Sequence, residues 1–322
     1  MRWKVLITAP RMLRDMPRLR PDIDALGWEL VLPDVRQQLD EQQLLEVVGD
    51  IDAAICGDDA YTARVMDAAP KLKAICKWGT GIDEIDVEAA RERGIHVRNV
   101  PDAFSVPVAD TVLAFMLSFA RRLPWLDRGL KQGGWEYIDG VSLAECTLGV
   151  VGCGNVGRTV LRRARAFGMR CLGNDPLPMP PQLIDETSVE MVELDELLAG
   201  ADFVSLNCDL NPTSHHLVGR RELKLMKPGA VLINTARGPI VDEAALVEAL
   251  ESGEINGAGL DVFEVEPLPI DSPLRTMDRV ILCPHMANSS PRACRNVHRQ
   301  VIQNVQELLA QCETAAAAGG RR

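Results

Sequence analysis

Residues 148–157 read LGVVGCGNVG, an apolar run that passes into Gly152-x-Gly154-x-x-Gly157 and then into a helical pattern with Val156, Val160, Leu161, Ala164 and Phe167 on one face. The spacing has a mechanical reading. Gly152 permits a tight turn, Gly154 lets the backbone approach a pyrophosphate, and Gly157 lets helix and strand pack closely. The N–H groups of Asn155 and Val156 at the helix start then face the phosphates. Glycine-rich turns are common, so the surroundings must carry the reading. The next apolar run, MRCLGND, ends at Asp175, eighteen residues after Gly157. A carboxylate there accepts hydrogen bonds from ribose hydroxyls and repels a 2′-phosphate, and no arginine follows it directly. The stretch therefore predicts a strand, turn and helix that bind NAD in preference to NADP.

Working outward, short β-branched runs alternate with helical stretches almost throughout, the pattern of α/β chains with parallel sheets. From Thr147 the runs fall at 148–151, 170–174, 203–207, 230–234, 257–261 and 280–283, six strands, as in a complete dinucleotide-binding sheet. Before them, runs at 5–8, 28–32, 53–57, 73–78 and 95–99, separated by helical segments such as 41–48 and 87–93, predict a smaller doubly wound sheet. Between the two lies 106–122 (VPVADTVLAFMLSFARR), too apolar for a solvated helix. It crosses between domains, packs against a second subunit, or is an internal core helix. A last helix, 292–309, lies past the sixth strand and on this reading returns to the first domain. The tail TAAAAGGRR is predicted disordered.

A chain of 322 residues is long for one hydrophobic core, which agrees with two domains. An apolar fraction of 47% and a mean hydropathy near zero describe an ordinary globular protein. The net charge of −11 excludes a broad nucleic-acid face, though a small anion can still find a positive pocket. No run of 18 apolar residues occurs, and the start MRWKVLITAP reads as a first strand rather than a cleavable leader. The cysteines, nine and so odd in number, show no metal-ligand spacing and read as reduced thiols in a cytoplasmic protein with no metal site.

Three later strand ends carry unusual chemistry. VLIN opens into Thr235, Ala236, Arg237 and Gly238; GLDVFEVEP passes Asp261 and reaches Glu266; RVILCPH ends at His285. In open parallel sheets ligands bind beyond the carboxyl ends of the strands, where the glycine motif and Asp175 also fall. Hydride transfer to or from a carbinol carbon needs a group titrating near neutrality at the oxygen, and histidine suits that. A carboxylate beside it orients the ring and stabilises imidazolium, which marks Glu266. A guanidinium holds a substrate carboxylate through two hydrogen bonds, which marks Arg237. Asp261 is available to the nicotinamide carboxamide. Taken singly, each residue has an ordinary reading as a turn or surface group; their agreement on one edge carries the argument. His96, His215, His216 and His298 have no comparable context and read as ordinary structural histidines.

At these residues the chain resembles the D-isomer-specific 2-hydroxyacid dehydrogenases, especially the phosphoglycerate dehydrogenase-like branch. The matching stretches are KWGTGIDEID (77–86), LGVVGCGNVGR (148–158), KPGAVLINTARGPIVDEAAL (227–246), GAGLDVFEVEPL (257–268) and CPH (283–285). The resemblance implies a discontinuous, flavodoxin-like substrate domain, 1–103 with 290–322, around a Rossmann NAD domain, 104–289. It implies a homodimer through the NAD domains and a small anionic 2-hydroxy or 2-keto acid as substrate. The family's catalytic set lands on Arg237, Glu266 and His285, and its nucleotide contacts extend to Cys208, Thr235 and Ala236. Its substrate-side loop lands on Gly79, Thr80 and Gly81, with Lys77 where phosphoglycerate-type members often have arginine.

Departures from the family pattern are Asp209 in place of a frequent proline and Asn288 in place of a small residue. Asp58 and Asp59 stand where phosphate-handling members carry basic or small polar residues, and two acids there would repel a phosphorylated substrate. The regulatory C-terminal domain of the longer phosphoglycerate enzymes has no counterpart here. The resemblance also admits a non-catalytic NAD(H)-sensing protein like the related corepressors, which would not need all three catalytic groups. A formate-type enzyme, whose substrate has no hydroxyl proton, fits a glutamate–histidine base poorly.

Overall fold

The computed structural model describes residues 2–319, with side chains described for 2–314. The chain divides into two compact units, Met1–Ala103 with Ser290–Arg322, and Phe104–Ser289.

The first unit begins β1 (Lys4–Ile7), α1 (Pro10–Asp24), β2 (Glu29–Val31), α2 (Glu41–Leu45) and β3 (Ala53–Cys56). It continues α3 (Ala63–Asp67), β4 (Ala74–Lys77), α4 (Val87–Glu92) and β5 (His96–Arg98). The strands are parallel in the order β2-β1-β3-β4-β5, the flavodoxin-like arrangement. Inner strands β3 (AAIC) and β4 (AICK) are buried at every residue because helices cover both faces, so they read as apolar runs, broken only by Lys77 at the end of β4. Three helices start at side-chain caps, Asp40, Thr62 and Asp86, each accepting a backbone N–H three residues on.

The second unit opens with α5 (Ser105–Arg121) and α6 (Leu123–Lys131). It then runs β6 (Thr147–Val151), α7 (Asn155–Ala166), β7 (Arg170–Asn174), α8 (Pro181–Thr187), β8 (Glu190–Met191), α9 (Leu194–Gly200) and β9 (Phe203–Leu206). It closes with α10 (Arg220–Leu225), β10 (Val231–Asn234), α11 (Glu243–Ser252), β11 (Gly257–Leu260) and β12 (Val280–Leu282). All pairings are parallel, in the order β12-β11-β10-β9-β6-β7-β8. The order reverses beside β6, so the loop that follows β6 lies at the switch point where such sheets bind ligands. The sheet has seven strands where six were expected. The extra one, β8, is a two-residue edge strand too short to leave an alternation in the sequence.

The apolar stretch 106–122 is α5, and the internal-core reading holds: nine of its residues are buried. A Cβ on Gly259 of β11 would lie 2.8 Å from Phe115 Cγ, and one on Gly257 would lie 2.7 Å from Phe119 Cε1. Those two glycines let the helix lie directly on the sheet. The last helix, α12 (Pro291–Gly319), belongs to the first unit and packs on β4 and β3. It makes residues 314–319 helical where disorder was expected, because a run of alanines prolongs a helix already nucleated by packing. The remainder of that tail, residues 320–322, lies outside the described residues. Among the described residues no helix is long and apolar enough to cross a membrane.

Candidate active site

In the second unit, β6 ends at Val151 and Gly152 turns the chain with φ +85°. A Cβ on Gly152 would sit 2.5 Å from Cys208 N, and one on Gly157 would sit 2.1 Å from Gly152 O. Both positions exclude any side chain, the first through its approach to the end of β9 and the second through helix–strand contact. Above Gly154 the space is open, with nothing within 4 Å of a built Cβ. Asn155 and Val156 begin α7, so their N–H groups point out of the helix start. Asp175, just past β7, accepts from Cys153 N–H at 2.7 Å and Leu177 N–H at 2.8 Å, which braces the glycine turn against the neighbouring strand end. Cys208 lies close enough for Asp175 and Asp209 to act on it. Burial first, then these acids, push its thiol up to about 11, so it stays a neutral thiol.

Past β10 the backbone is stitched by Asn234. Its side-chain oxygen accepts Ala236 N–H at 3.1 Å, its amide donates to Arg237 O at 2.8 Å, and its carbonyl accepts Asp261 N–H at 3.0 Å. Within this loop Thr235 Oγ1 is buried without a hydrogen-bond partner. A buried hydroxyl left so costs about 1–3 kcal/mol, which a bound ligand can recover. With the open ground over Gly154, it fits a dinucleotide laid along this edge. Arg237 is half-buried, and its guanidinium donates to Ala236 O at 3.0 Å. A Cβ on the next residue, Gly238, would fall 1.9 Å from the carbonyl carbon of Phe263. The Arg237 loop therefore lies against the backbone that leads to Glu266.

Glu266 and His285 meet: Nδ1 of the imidazole is 2.8 Å from Oε2, and Oε1 accepts Phe263 N–H at 3.0 Å. Both side chains are mostly buried. A carboxylate only accepts, so Nδ1 carries the hydrogen. His285 has φ +51°, a left-handed conformation that a non-glycine residue holds only under constraint. The constraint is Asp261, 1% exposed. Its carbonyl accepts His285 N–H at 2.8 Å, and its carboxylate accepts Met286 N–H at 2.7 Å and Ala287 N–H at 2.8 Å. Burial raises the Asp261 pKa against these bonds and the nearby imidazole. The residue set aside for a carboxamide is thus first a clamp on the His285 turn.

In the first unit, the predicted substrate loop follows β4. Gly79 has φ +144° and its carbonyl accepts Val100 N–H at 2.8 Å. Thr80 Oγ1 donates to Val100 O at 3.1 Å, and Asn99 Nδ2 donates to Thr80 O at 2.5 Å. Gly81 is half-buried beside them.

Residues 113–287 match the family described as D-isomer specific 2-hydroxyacid dehydrogenase, NAD binding domain. The chain belongs to this family. It is 40% identical over 310 residues, 95% of its length, to the D-3-phosphoglycerate dehydrogenase of Methanocaldococcus jannaschii, of which it spans 57%. It is 36% identical to the glyoxylate reductase of Korarchaeum cryptofilum over 95% of this chain and 92% of that one. Among solved structures it resembles D-lactate dehydrogenase from Aquifex aeolicus complexed with NAD and lactic acid. That likeness has a TM-score of 0.86 at 26% identity and covers 96% of both chains. This 2-hydroxyacid dehydrogenase is therefore an NAD-dependent oxidoreductase. The alternative of a non-catalytic NAD(H) sensor gains nothing from relatives named for dehydrogenase and reductase activities.

Against the family pattern, two residues of the first unit take up partners within the protein. Lys77, expected at the substrate, has a side chain only 3% exposed and pairs with Asp58 at 2.6 Å and Glu84 at 3.2 Å. Its charge is neutralised inside the first unit. Asp59 does not face a ligand either. It is fully buried and accepts from Thr8 Oγ1 at 2.5 Å, Leu39 N–H at 2.7 Å and Gly57 N–H at 2.9 Å, tying three loops together. Asp59 is thus internal and does not meet a phosphorylated substrate, and Asp58 is paired to Lys77.

Asn234 and Gly238 were missed as loop-shaping residues, although both stand in the family stretch 227–246. His216, read as an ordinary structural histidine, has Nε2 2.7 Å from Glu264 Oε1 in the segment that leads to Glu266. His298 was likewise passed over; it is buried between Trp78 and Asp15.

Proposed function

We propose that this dehydrogenase interconverts a small 2-keto acid and its D-2-hydroxy acid, with His285 as general acid–base, Glu266 as its orienting carboxylate and Arg237 as the grip on the substrate carboxylate. The contact between His285 Nδ1 and Glu266 Oε2 carries this reading. It commits Nδ1 to the carboxylate and assigns Nε2 to the substrate oxygen, while Glu266 stabilises the imidazolium that forms when a hydroxyl loses its proton. In the reducing direction the same nitrogen returns the proton to the carbonyl oxygen. Arg237 holds the carboxylate so that the reacting carbon keeps one orientation.

The residues proposed to hold NAD are Gly152, Gly154, Asn155, Val156 and Gly157 at the pyrophosphate, Asp175 and Cys208 at the adenosine end, and Thr235, Ala236 and Asp261 toward the nicotinamide. When bound, NAD supplies the acceptor for hydride, and NADH the donor. Asp261 would serve the carboxamide only through lone pairs that its clamp leaves over. In the first unit, Gly79, Thr80 and Gly81 offer the substrate backbone and hydroxyl hydrogen bonds. Lys77 acts there as a buried counter-charge that shapes the loop. Hydroxypyruvate, glyoxylate and a phosphorylated keto acid are the substrates to test first. The expected result is NADH oxidation by at least one of them; NADH binding without turnover across a panel of keto acids would favour a sensor instead.

Asp175→Ala should weaken NAD and narrow the preference over NADP, measured as the ratio of kcat/KM for the two cofactors. An unchanged ratio would contradict the ribose assignment. A cytoplasmic setting agrees with nine unpaired thiols. A homodimer is supported by 123–141 of the second unit. Here α6 buries none of its residues, and Trp135 and Tyr137 are 77% and 90% exposed. The solution mass should be about twice that of the 35.3 kDa chain, and Trp135→Asp with Tyr137→Asp should shift it toward monomer.

A further inference from the structure

Trp78 links β4 to the glycine loop and is itself held from behind. Its indole Nε1–H donates to His298 Nδ1 at 2.9 Å, the rings lie 5.5 Å apart, and His298 Nε2 is 3.2 Å from Asp15 Oδ2. His298 sits on α12 and Asp15 on α1, both in the same unit as the loop. An indole N–H is a donor only, so Nδ1 must present a lone pair. The imidazole is therefore neutral, with its hydrogen on Nε2 directed at Asp15. Six residues along α12, the buried Asn304 donates to Asn99 O at 3.1 Å, and Asn99 in turn holds Thr80 O. α12 thus reaches the loop at two points, through Trp78 on its entry side and through Asn99, which holds Thr80 O.

We infer that His298 is a positioning residue for substrate binding: acting through the Trp78 indole, it sets the backbone of Gly79, Thr80 and Gly81 in the conformation that receives the keto acid. This rests on the assignment of that loop to the substrate. The arrangement has a proton-dependent weakness. A second proton would have to enter at Nδ1, facing the indole N–H, and would expel Trp78 from the contact. Burial holds the His298 pKa below its ordinary 6.5; Asp15 opposes this, while Arg14 and Arg11 on α1 reinforce it. Arg11 also donates to Cys294 Sγ on α12. The neutral latch is complete above 6.5 and opens as pH falls through the lowered value.

Steady-state kinetics of the full chain, with NADH and whichever of glyoxylate or hydroxypyruvate is turned over, test this. His298→Leu should raise the keto-acid KM about tenfold, the worth of one lost hydrogen-bonded anchor, with kcat and the NADH KM little changed. His298→Gln should recover most of the loss, because its amide oxygen accepts from the indole and its N–H donates to Asp15. The wild type should show a rise in keto-acid KM at low pH that His298→Gln lacks. Should His298→Leu not fold, Trp78→Phe, which keeps a ring and loses the N–H, carries the same expectation. Wild-type keto-acid KM in these variants, equal losses in the leucine and glutamine variants, or a parallel rise in the NADH KM would each overturn the inference. Gly81→Val separates the two layers. A silent Gly81→Val removes the loop from the substrate site and the inference with it, whereas a large effect there beside a silent His298→Leu sinks the inference alone.

Discussion

His285→Ala is expected to lower kcat by about 10²- to 10⁴-fold, the usual worth of a general acid–base. The size of the effect follows from how completely the fold prepares this side chain. The backbone at His285 is left-handed, clamped by three hydrogen bonds that His285, Met286 and Ala287 N–H donate to Asp261, and the ring is oriented by Glu266 at 2.8 Å. The bonds to Asp261 come from backbone N–H groups and stay in place when the ring is removed, so the loss should appear in turnover rather than in folding. His285→Gln should fall in the same range, since an amide does not exchange protons near neutrality. Glu266→Gln should cost less and should also move the pH profile, because the imidazolium loses its counter-charge. Near-normal turnover in His285→Ala would remove the residue from the mechanism.

Arg237→Ala should reduce kcat/KM for the keto acid by about 10²- to 10³-fold, the scale of two charge-assisted hydrogen bonds to a carboxylate. The loop itself should survive the change. Asn234 holds it through Ala236 N–H and Arg237 O, which are backbone groups, and Gly238 keeps it pressed to Phe263. Arg237→Lys should recover only part of the loss, as an ammonium cannot reproduce the planar fork. Values of kcat/KM within about threefold of wild type in Arg237→Ala would show that the carboxylate is held elsewhere.

Much of the fold was legible before any coordinates. The five strands of the first unit appear where period and β-branching placed them, since the inner strands β3 and β4, buried on both faces, are apolar except for the paired Lys77 that ends β4. Glu266 and His285 were legible for a different reason: each falls just past a strand end, and topology forces those ends onto one edge of the sheet. The partners of Lys77 and the burial of Asp59 were not legible, because charge in a sequence says nothing of its partner. Asp58 lies 19 positions from Lys77, and Thr8 lies 51 from Asp59. His298 was passed over for the same reason, with Trp78 220 positions away and Asp15 283.

Taken by itself, the sequence determined what local chemistry dictates: alternating strands and helices, a glycine turn shaped for a pyrophosphate, and ionisable groups at the carboxyl ends of parallel strands. Tertiary structure alone decided which charges face a ligand and which are neutralised inside the protein. Burial and pairing depend on neighbours brought in from far along the chain, and no periodicity or spacing in the sequence records who those neighbours are.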